Sequence, residues 1–197
     1  MIQIIDYGAG NIKSVQNALK QLDIESKVIS SAKELQYDCK TIFPGVGAAG
    51  AAMQQLEERG FITEIPKIKA PFLGICLGMQ LLMDFSEENN VYCLKIIKGM
   101  TRRFSGNIKI PQIGWNKVEQ KNLKNSLFEN IPDKNYFYFV NSYYVDPVNK
   151  SQVIGTTDYG INFASVIKKQ NFYGVQFHPE KSGEIGLELL NNFCKLC

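Results

Sequence analysis

Pro71-Phe72-Leu73-Gly74-Ile75-Cys76-Leu77-Gly78-Met79-Gln80-Leu81-Leu82-Met83 decides both the fold and the chemistry. An apolar run ends in Gly-x-Cys-x-Gly and is followed by Met79, Leu82 and Met83 at helical spacing. This is the cysteine form of the nucleophile elbow, a strained strand-to-helix turn that lifts the residue at its apex above a sheet. Glycines flank that residue because Cβ atoms at 74 and 78 would strike neighbouring chain. The N-terminus of the following helix is expected to offer positive dipole and free N–H groups to the sulfur, favouring the thiolate. The plainer alternative is a buried structural cysteine, against which the strand–elbow–helix context argues.

Working outward, the same alternation recurs. Ile2–Asp6 reads as a buried strand, and Asn11 as an N-cap candidate before Ile12, Val15, Leu19 and Leu22 at helical spacing. Ile24–Ile29 and Lys40–Phe43 read as further strands. Pro44-Gly45-Val46-Gly47 is expected to break the third strand before an alanine-rich helix from about Ala48 to Glu58, ended by Gly60. Alternation of this kind implies a parallel sheet covered by helices on both faces. The second half changes texture, with strand-like segments at Lys109–Val118, Tyr136–Val145, Gln152–Thr157, Asn162–Ile167 and Asn171–Phe177. A last helix is expected at about Gly183–Phe193, with Ile185, Leu189 and Leu190 on one face. The expected fold is α/β: a mostly parallel open sheet flanked by helices, with an added antiparallel β portion in the second half. Nothing in 1–197 supports a domain cut.

Composition narrows the function. Lys and Arg number 22 against 19 Asp and Glu among 197 residues, too mild a balance for a nucleic-acid or membrane-surface footprint. No apolar run approaches the ~18 residues that cross a bilayer, and Asp6 interrupts any signal-peptide reading, so a soluble cytoplasmic protein is expected. Five cysteines cannot all pair within the chain, which argues against a disulfide framework. The single histidine, His178, forbids most zinc sites and is the only imidazole base available to a nucleophile. No metal or cofactor is expected. Gly8-Ala9-Gly10 lacks the third glycine of a dinucleotide loop, since residue 13 is Lys13.

Gln176-Phe177-His178-Pro179-Glu180 supplies partners for the thiol. On an extended segment held by Pro179, His178 and Glu180 project to the same side, and the carboxylate can fix the imidazole's tautomer. An edge-strand histidine paired with a surface acid is the alternative. Pro44-Gly45-Val46-Gly47 is either an ordinary strand-to-helix turn or an oxyanion hole whose glycines let main-chain N–H groups face a site. Cys194-Lys195-Leu196-Cys197 lacks the further ligands zinc needs and reads as a frayed tail, and Tyr136–Phe139 as a core strand.

Gly74–Gln80, Pro44–Gly47 and His178-Pro179-Glu180 together resemble the class I glutamine amidotransferases. The opening IDYGAGN, GICLGMQLL, IGWN at 113–116, YFVNSYY at 138–144 and QFHPEKSG at 176–183 are similar to one branch of that family, the glutaminase subunits of imidazole glycerol phosphate synthase. The resemblance covers the whole chain. It implies glutamine hydrolysis by Cys76, His178 and Glu180, with an oxyanion hole from Gly45, Val46, Gly47 and Leu77. It implies that Gly45, Gln80, Asn141, Ser142 and Tyr143 hold glutamine. It also implies a heterodimer with a (β/α)8-barrel cyclase subunit that receives the ammonia in histidine biosynthesis, docked on Trp115, Asn116, Tyr138 and Lys181. The family commonly has histidines where Gln112 and Asn141 stand, which leaves a sugar amidotransferase of surface-polysaccharide synthesis as an alternative acceptor. A cysteine hydrolase or peptidase on a related fold shares the elbow, but PGVG, Gln80 and HPE together do not follow from peptide hydrolysis.

Overall fold

The computed structural model describes residues 1–8, 11–121 and 125–197, so two positions of the Gly8-Ala9-Gly10 loop lie outside the described residues. Four strands and three helices open the chain: β1 (Ile2–Ile5), α1 (Ile12–Gln21), β2 (Ser26–Ile29), β3 (Thr41–Gly45), α2 (Ala49–Glu58), β4 (Phe72–Cys76) and α3 (Leu77–Gln80). Short strands β5 (Phe85–Ser86) and β6 (Val91–Tyr92) follow, then β7 (Gly99–Arg103), β8 (Gln112–Gln120), β9 (Asn135–Asn141) and β10 (Tyr143–Pro147). The chain closes with β11 (Val153–Asp158), β12 (Asn162–Lys169), β13 (Phe172–Val175) and α4 (Gly183–Leu196).

Strands β2-β1-β3-β4-β13 pair in parallel. β1, β3, β4 and β13 are buried at every residue, as strands covered on both faces must be. The apolar sides of α1 and α4 (Val15, Leu19, Leu189, Phe193) join one core cluster, and those of α2 (Ala52, Met53, Leu56) join the other. From β13 the sheet continues antiparallel through β12, which β10 and β11 both join, and β11 leads to the β8–β9 hairpin. The expected architecture is therefore observed: one α/β sheet, parallel in its first half and antiparallel in its second.

Several local expectations are corrected. Pro44 does not break β3, which runs on to Gly45 with Pro44 opposite Ile75 and Gly45 opposite Cys76. Pairing with β1 stops at Ile42, so the missing Pro44 N–H falls where β3 has lost one neighbour. The expected helix through Leu82 and Met83 is the single turn of α3; the carbonyls of Leu81, Leu82 and Met83 accept from residues 94–97 instead of continuing the helix. Tyr136–Val145 is two strands, split at Ser142, whose carbonyl accepts from the Phe104 N–H at 3.0 Å. Asn11 occupies the N-cap position of α1 but its side chain caps no backbone N–H. The C-terminal cysteines are no frayed tail: α4 runs to Leu196, and Lys40 Nζ donates to the Cys194 carbonyl at 2.8 Å.

Candidate active site

Cys76 ends β4 at the carboxyl edge of the parallel strands, where open α/β sheets form their sites. Its backbone lies at φ 54 and ψ −110, a conformation that L-residues avoid, so the elbow is strained at its apex. The glycine requirement is steric. A Cβ at Gly78 would collide with the Phe43 carbonyl of β3, and one at Gly74 would sit 2.6 Å from the Gly78 carbonyl oxygen.

His178 reaches the elbow from β13, the strand on the other side of β4. Its main chain is tied on both sides: its N–H donates to the Tyr138 carbonyl at 2.9 Å, and its carbonyl accepts from Ser182 Oγ at 2.7 Å. Stacking of Phe177 on Phe137, centroids 4.1 Å apart, fixes the preceding residue. The imidazole Nδ1 lies 2.8 Å from Glu180 Oε1, and both side chains are almost wholly buried. The pairing is as expected but the cause differs. Pro179 starts a single 3-10 turn over Pro179–Lys181, and that turn, not an extended segment, brings the carboxylate back to the ring. Asn11 Nδ2 donates to the same Glu180 oxygen at 3.4 Å, while Asn11 Oδ1 accepts from Ser14 Oγ at 2.6 Å.

The ring and Cys76 line the same cavity, and the thiol acts on the ring's charge. Burial by itself lowers the imidazole's affinity for a proton, but hydrogen bonds and charge from Cys76 and Glu180 outweigh it and push the His178 pKa up to about 10. An imidazole so held can give a proton to, or take one from, a group reacting at the sulfur.

A cavity of about 310 Å³ opens over this group. Val46, Gly47, Leu77, Gln80, Asn141, Ser142 and Tyr143 line it with Cys76 and His178. Gly45 lies beside Cys76 in register, and a Cβ there would press to 2.8 Å from the Tyr7 hydroxyl. That hydroxyl is buried with no hydrogen-bond partner among the described residues, and burial, then the nearby Cys76, pushes its pKa up. The structure thus brings Cys76, His178, Glu180, the Gly45–Gly47 loop, Leu77, Gln80 and Asn141–Tyr143 to one place.

Two polar residues at the site carry no signal in the sequence, Glu88 in the cavity wall and Gln176 behind the thiol. Glu88 lines the cavity, and burial raises its pKa while the Ala49 N–H donates to its Oε2 at 2.8 Å. No motif spacing marks Glu88, because a 3-10 turn between short strands carries it. Gln176 lies outside the cavity lining: wholly buried, it brings Nε2 to 3.6 Å from Cys76 Sγ. The two departures from the family pattern stand directly opposite each other, Gln112 on β8 against Asn141 on β9, both buried. Gln112 Oε1 and Asn141 Oδ1 have no partner among the described residues.

Trp115 and Tyr138 are cross-strand neighbours with ring centroids 5.9 Å apart, edge to face. With Ile113 and Tyr136 they make an exposed apolar strip, Ile113, Trp115 and Tyr136 each at least half exposed. Asn116 does not share it: alternation turns its side chain to the other face, where Nδ2 donates to the Asp158 carbonyl at 2.8 Å. Lys181 is exposed at the cavity mouth. No described helix is long and apolar enough to cross a membrane.

The geometry agrees with comparisons across known proteins. Residues 3–197 match the family model for class-I glutamine amidotransferases. Imidazole glycerol phosphate synthase subunit HisH of Dehalococcoides mccartyi is 44% identical over 200 residues, covering 100% of this chain and 97% of the relative. The subunit of the same name from Chlorobaculum tepidum is 48% identical, covering 99% of this chain and all of the relative. Among solved structures, a glutamine amidotransferase superposes with TM-score 0.75 at 17% identity over 98% of both chains, and PurLQS from Thermotoga maritima with TM-score 0.75 at 17% identity over 98% and 96%. Those two similarities speak for the fold, and the full-length family match for more: this chain belongs to the class-I glutamine amidotransferase family.

Proposed function

We propose that residues 1–197 form one glutaminase domain that hydrolyses glutamine to glutamate and ammonia through Cys76, His178 and Glu180. The observation that carries this is the buried Nδ1···Oε1 contact of 2.8 Å, which sets a protonated imidazole against the Cys76 thiol at the mouth of the cavity. The Cys76 thiolate attacks the side-chain amide carbon, and the oxyanion formed is held by main-chain N–H groups of Leu77 and the Gly45–Gly47 loop. His178 gives its proton to the amide nitrogen, the C–N bond breaks, and ammonia leaves a glutamyl thioester. The neutral imidazole then takes a proton from water as its oxygen attacks the thioester carbon. Collapse expels the thiolate, leaving glutamic acid, which ionises, and the imidazolium.

Glutamine's charged end needs fixed partners. Glu88 suits the α-ammonium, while Gln80 and the Asn141–Tyr143 segment suit the polar remainder through side chain and backbone. Replacing Glu88 with glutamine is expected to raise KM at least about tenfold with a smaller change in kcat, because one charge-assisted hydrogen bond is lost in ground and transition states alike. Steady-state kinetics measures it. The proposal as a whole is tested with a diazo-ketone glutamine analogue, which should alkylate Cys76 alone among the five thiols. Modification spread over other cysteines contradicts it.

The relatives' shared name supports a finer reading: the glutaminase subunit of imidazole glycerol phosphate synthase, in histidine biosynthesis, working in the cytoplasm. Ammonia is mostly protonated in neutral water and then no nucleophile, so direct transfer to a partner, a (β/α)8-barrel cyclase, is chemically sensible. The Ile113–Trp115–Tyr136–Tyr138 strip, with Lys181 nearby, is the surface best suited to that docking, without Asn116, whose side chain faces the other way. Trp115→Ala is expected to weaken cyclase binding by about 2 kcal/mol or more, read by calorimetric titration, with the melting temperature of the free chain unchanged. The Val46 N–H must face the oxyanion during turnover. Glycines at 45 and 47 suit a loop that turns when the partner and acceptor bind, making the isolated subunit nearly silent. Equal glutamine hydrolysis with and without the partner contradicts this.

A further inference from the structure

A thiolate needs hydrogen-bond donors, and α3, four residues long, offers little helix dipole to Cys76. A neutral donor stands closer. Gln176 follows β13, has no exposed surface, and approaches Cys76 Sγ with its side-chain amide. We propose that the Gln176 N–H donates to the Cys76 sulfur and stabilises the thiolate, making Gln176 a catalytic residue of the glutaminase reaction on which this inference rests.

Which end of the amide faces the sulfur decides the matter, because an oxygen there would repel a thiolate. The surrounding chemistry allows one orientation. The Tyr143 carbonyl can only accept, and Gln80 Nε2 donates to it at 3.3 Å. The other hydrogen of the same Gln80 nitrogen goes to Gln176 Oε1 at 3.0 Å. Flipping Gln80 would set its oxygen against the Tyr143 carbonyl, so its NH₂ stays where it is. The Gln176 oxygen must then face Gln80, which leaves its NH₂ for the sulfur at 3.6 Å. Both backbones are held as well: Gln176 N–H donates to the Ser165 carbonyl at 2.9 Å, and the Gln80 carbonyl accepts from Thr101 Oγ1 at 3.2 Å. Being neutral, this donor favours the thiolate without competing for the proton that His178 carries.

The titratable groups around the sulfur are His178 and Glu180 after β13, Tyr7 after β1, and Glu88 and Lys181 at the cavity rim. All of them are retained in Gln176→Met, which keeps the side chain's length and removes its N–H. The test is alkylation of the full chain by iodoacetamide across pH, following the Cys76 peptide by mass spectrometry. The acidic limb of the Gln176→Met rate profile is expected about one pH unit higher than in wild type, so that alkylation below the limb is about tenfold slower. Should that variant fail to fold, Gln176→Asn, whose shorter amide falls short of the sulfur, is expected to move the limb the same way. A role in packing alone would lower the melting temperature and leave the limb in place. An unmoved limb in a folded variant overturns this inference and leaves the glutaminase proposal standing. A wild-type Cys76 that resists iodoacetamide at every pH overturns both.

Discussion

Cys76→Ala is expected to abolish partner-supported glutamine hydrolysis, a loss of about 10⁶-fold in kcat by analogy with other nucleophile–base pairs, and His178→Ala to cost nearly as much. The more telling result is the double variant, which should be no worse than either single one. Thiol and imidazole work as a unit: without the imidazole no proton reaches the departing nitrogen, and without the thiol no bond forms that needs it. Glutamine binding should survive, because Gln80, Glu88 and the Asn141–Tyr143 wall remain. Cys76→Ala should therefore still bind glutamine in a calorimetric titration. Multiplicative losses in the double variant would mean that the two residues act in separate steps, contrary to the mechanism proposed.

Glu180→Gln is expected to lower kcat by about 10³-fold or more, since the carboxylate that orients and stabilises the imidazolium becomes a neutral amide. Its second signature is a pH shift. In the wild type His178 is held protonated up to about 10, despite burial, by Cys76 and Glu180. Removing the Glu180 charge leaves burial, which favours the neutral ring, less opposed, so the basic limb of the kcat profile should move to lower pH. Stability follows the same proton. A His178 pKa raised above its ordinary 6.5 contributes stability that is fully present below about pH 6.5 and lost as pH climbs through about 10. In Glu180→Gln that contribution should be smaller and its loss complete at lower pH, seen in denaturation curves between pH 7 and 10. A basic limb that stays put would show that Glu180 does not act on the ring.

The site was more legible in the chain than the elements that frame it. One cysteine between two glycines after an apolar strand, and one histidine in the whole sequence, are enough to propose a nucleophile and its base without coordinates. The sheet followed from alternation, since buried parallel strands declare themselves by uninterrupted apolar runs such as Ile2–Ile5. What stayed hidden depends on contacts between distant segments. The α3 turn stops because residues 94–97 take the carbonyls of Leu81–Met83, a competition no local periodicity reveals. Asn11 looks like a helix cap and instead reaches Glu180, 169 positions later in the chain. Glu88 and Gln176 enter the site only through burial, which polar residues in unremarkable surroundings do not announce. Trp115 and Asn116, read together as a docking pair, part because successive residues on a strand face opposite sides.

The central claim is that the Cys76 sulfur becomes covalently bonded to the glutamyl carbon during turnover. Acid quenching of the enzyme while it consumes glutamine beside the proposed cyclase partner, followed by peptide mass spectrometry, tests it most directly. The account predicts a glutamyl adduct on the peptide carrying Cys76, accumulating when His178 is replaced by an imidazole-free side chain only to the small extent that attack still occurs. Rapid glutamine consumption with Cys76 unmodified, or with the adduct on Cys39, Cys93, Cys194 or Cys197, would contradict it.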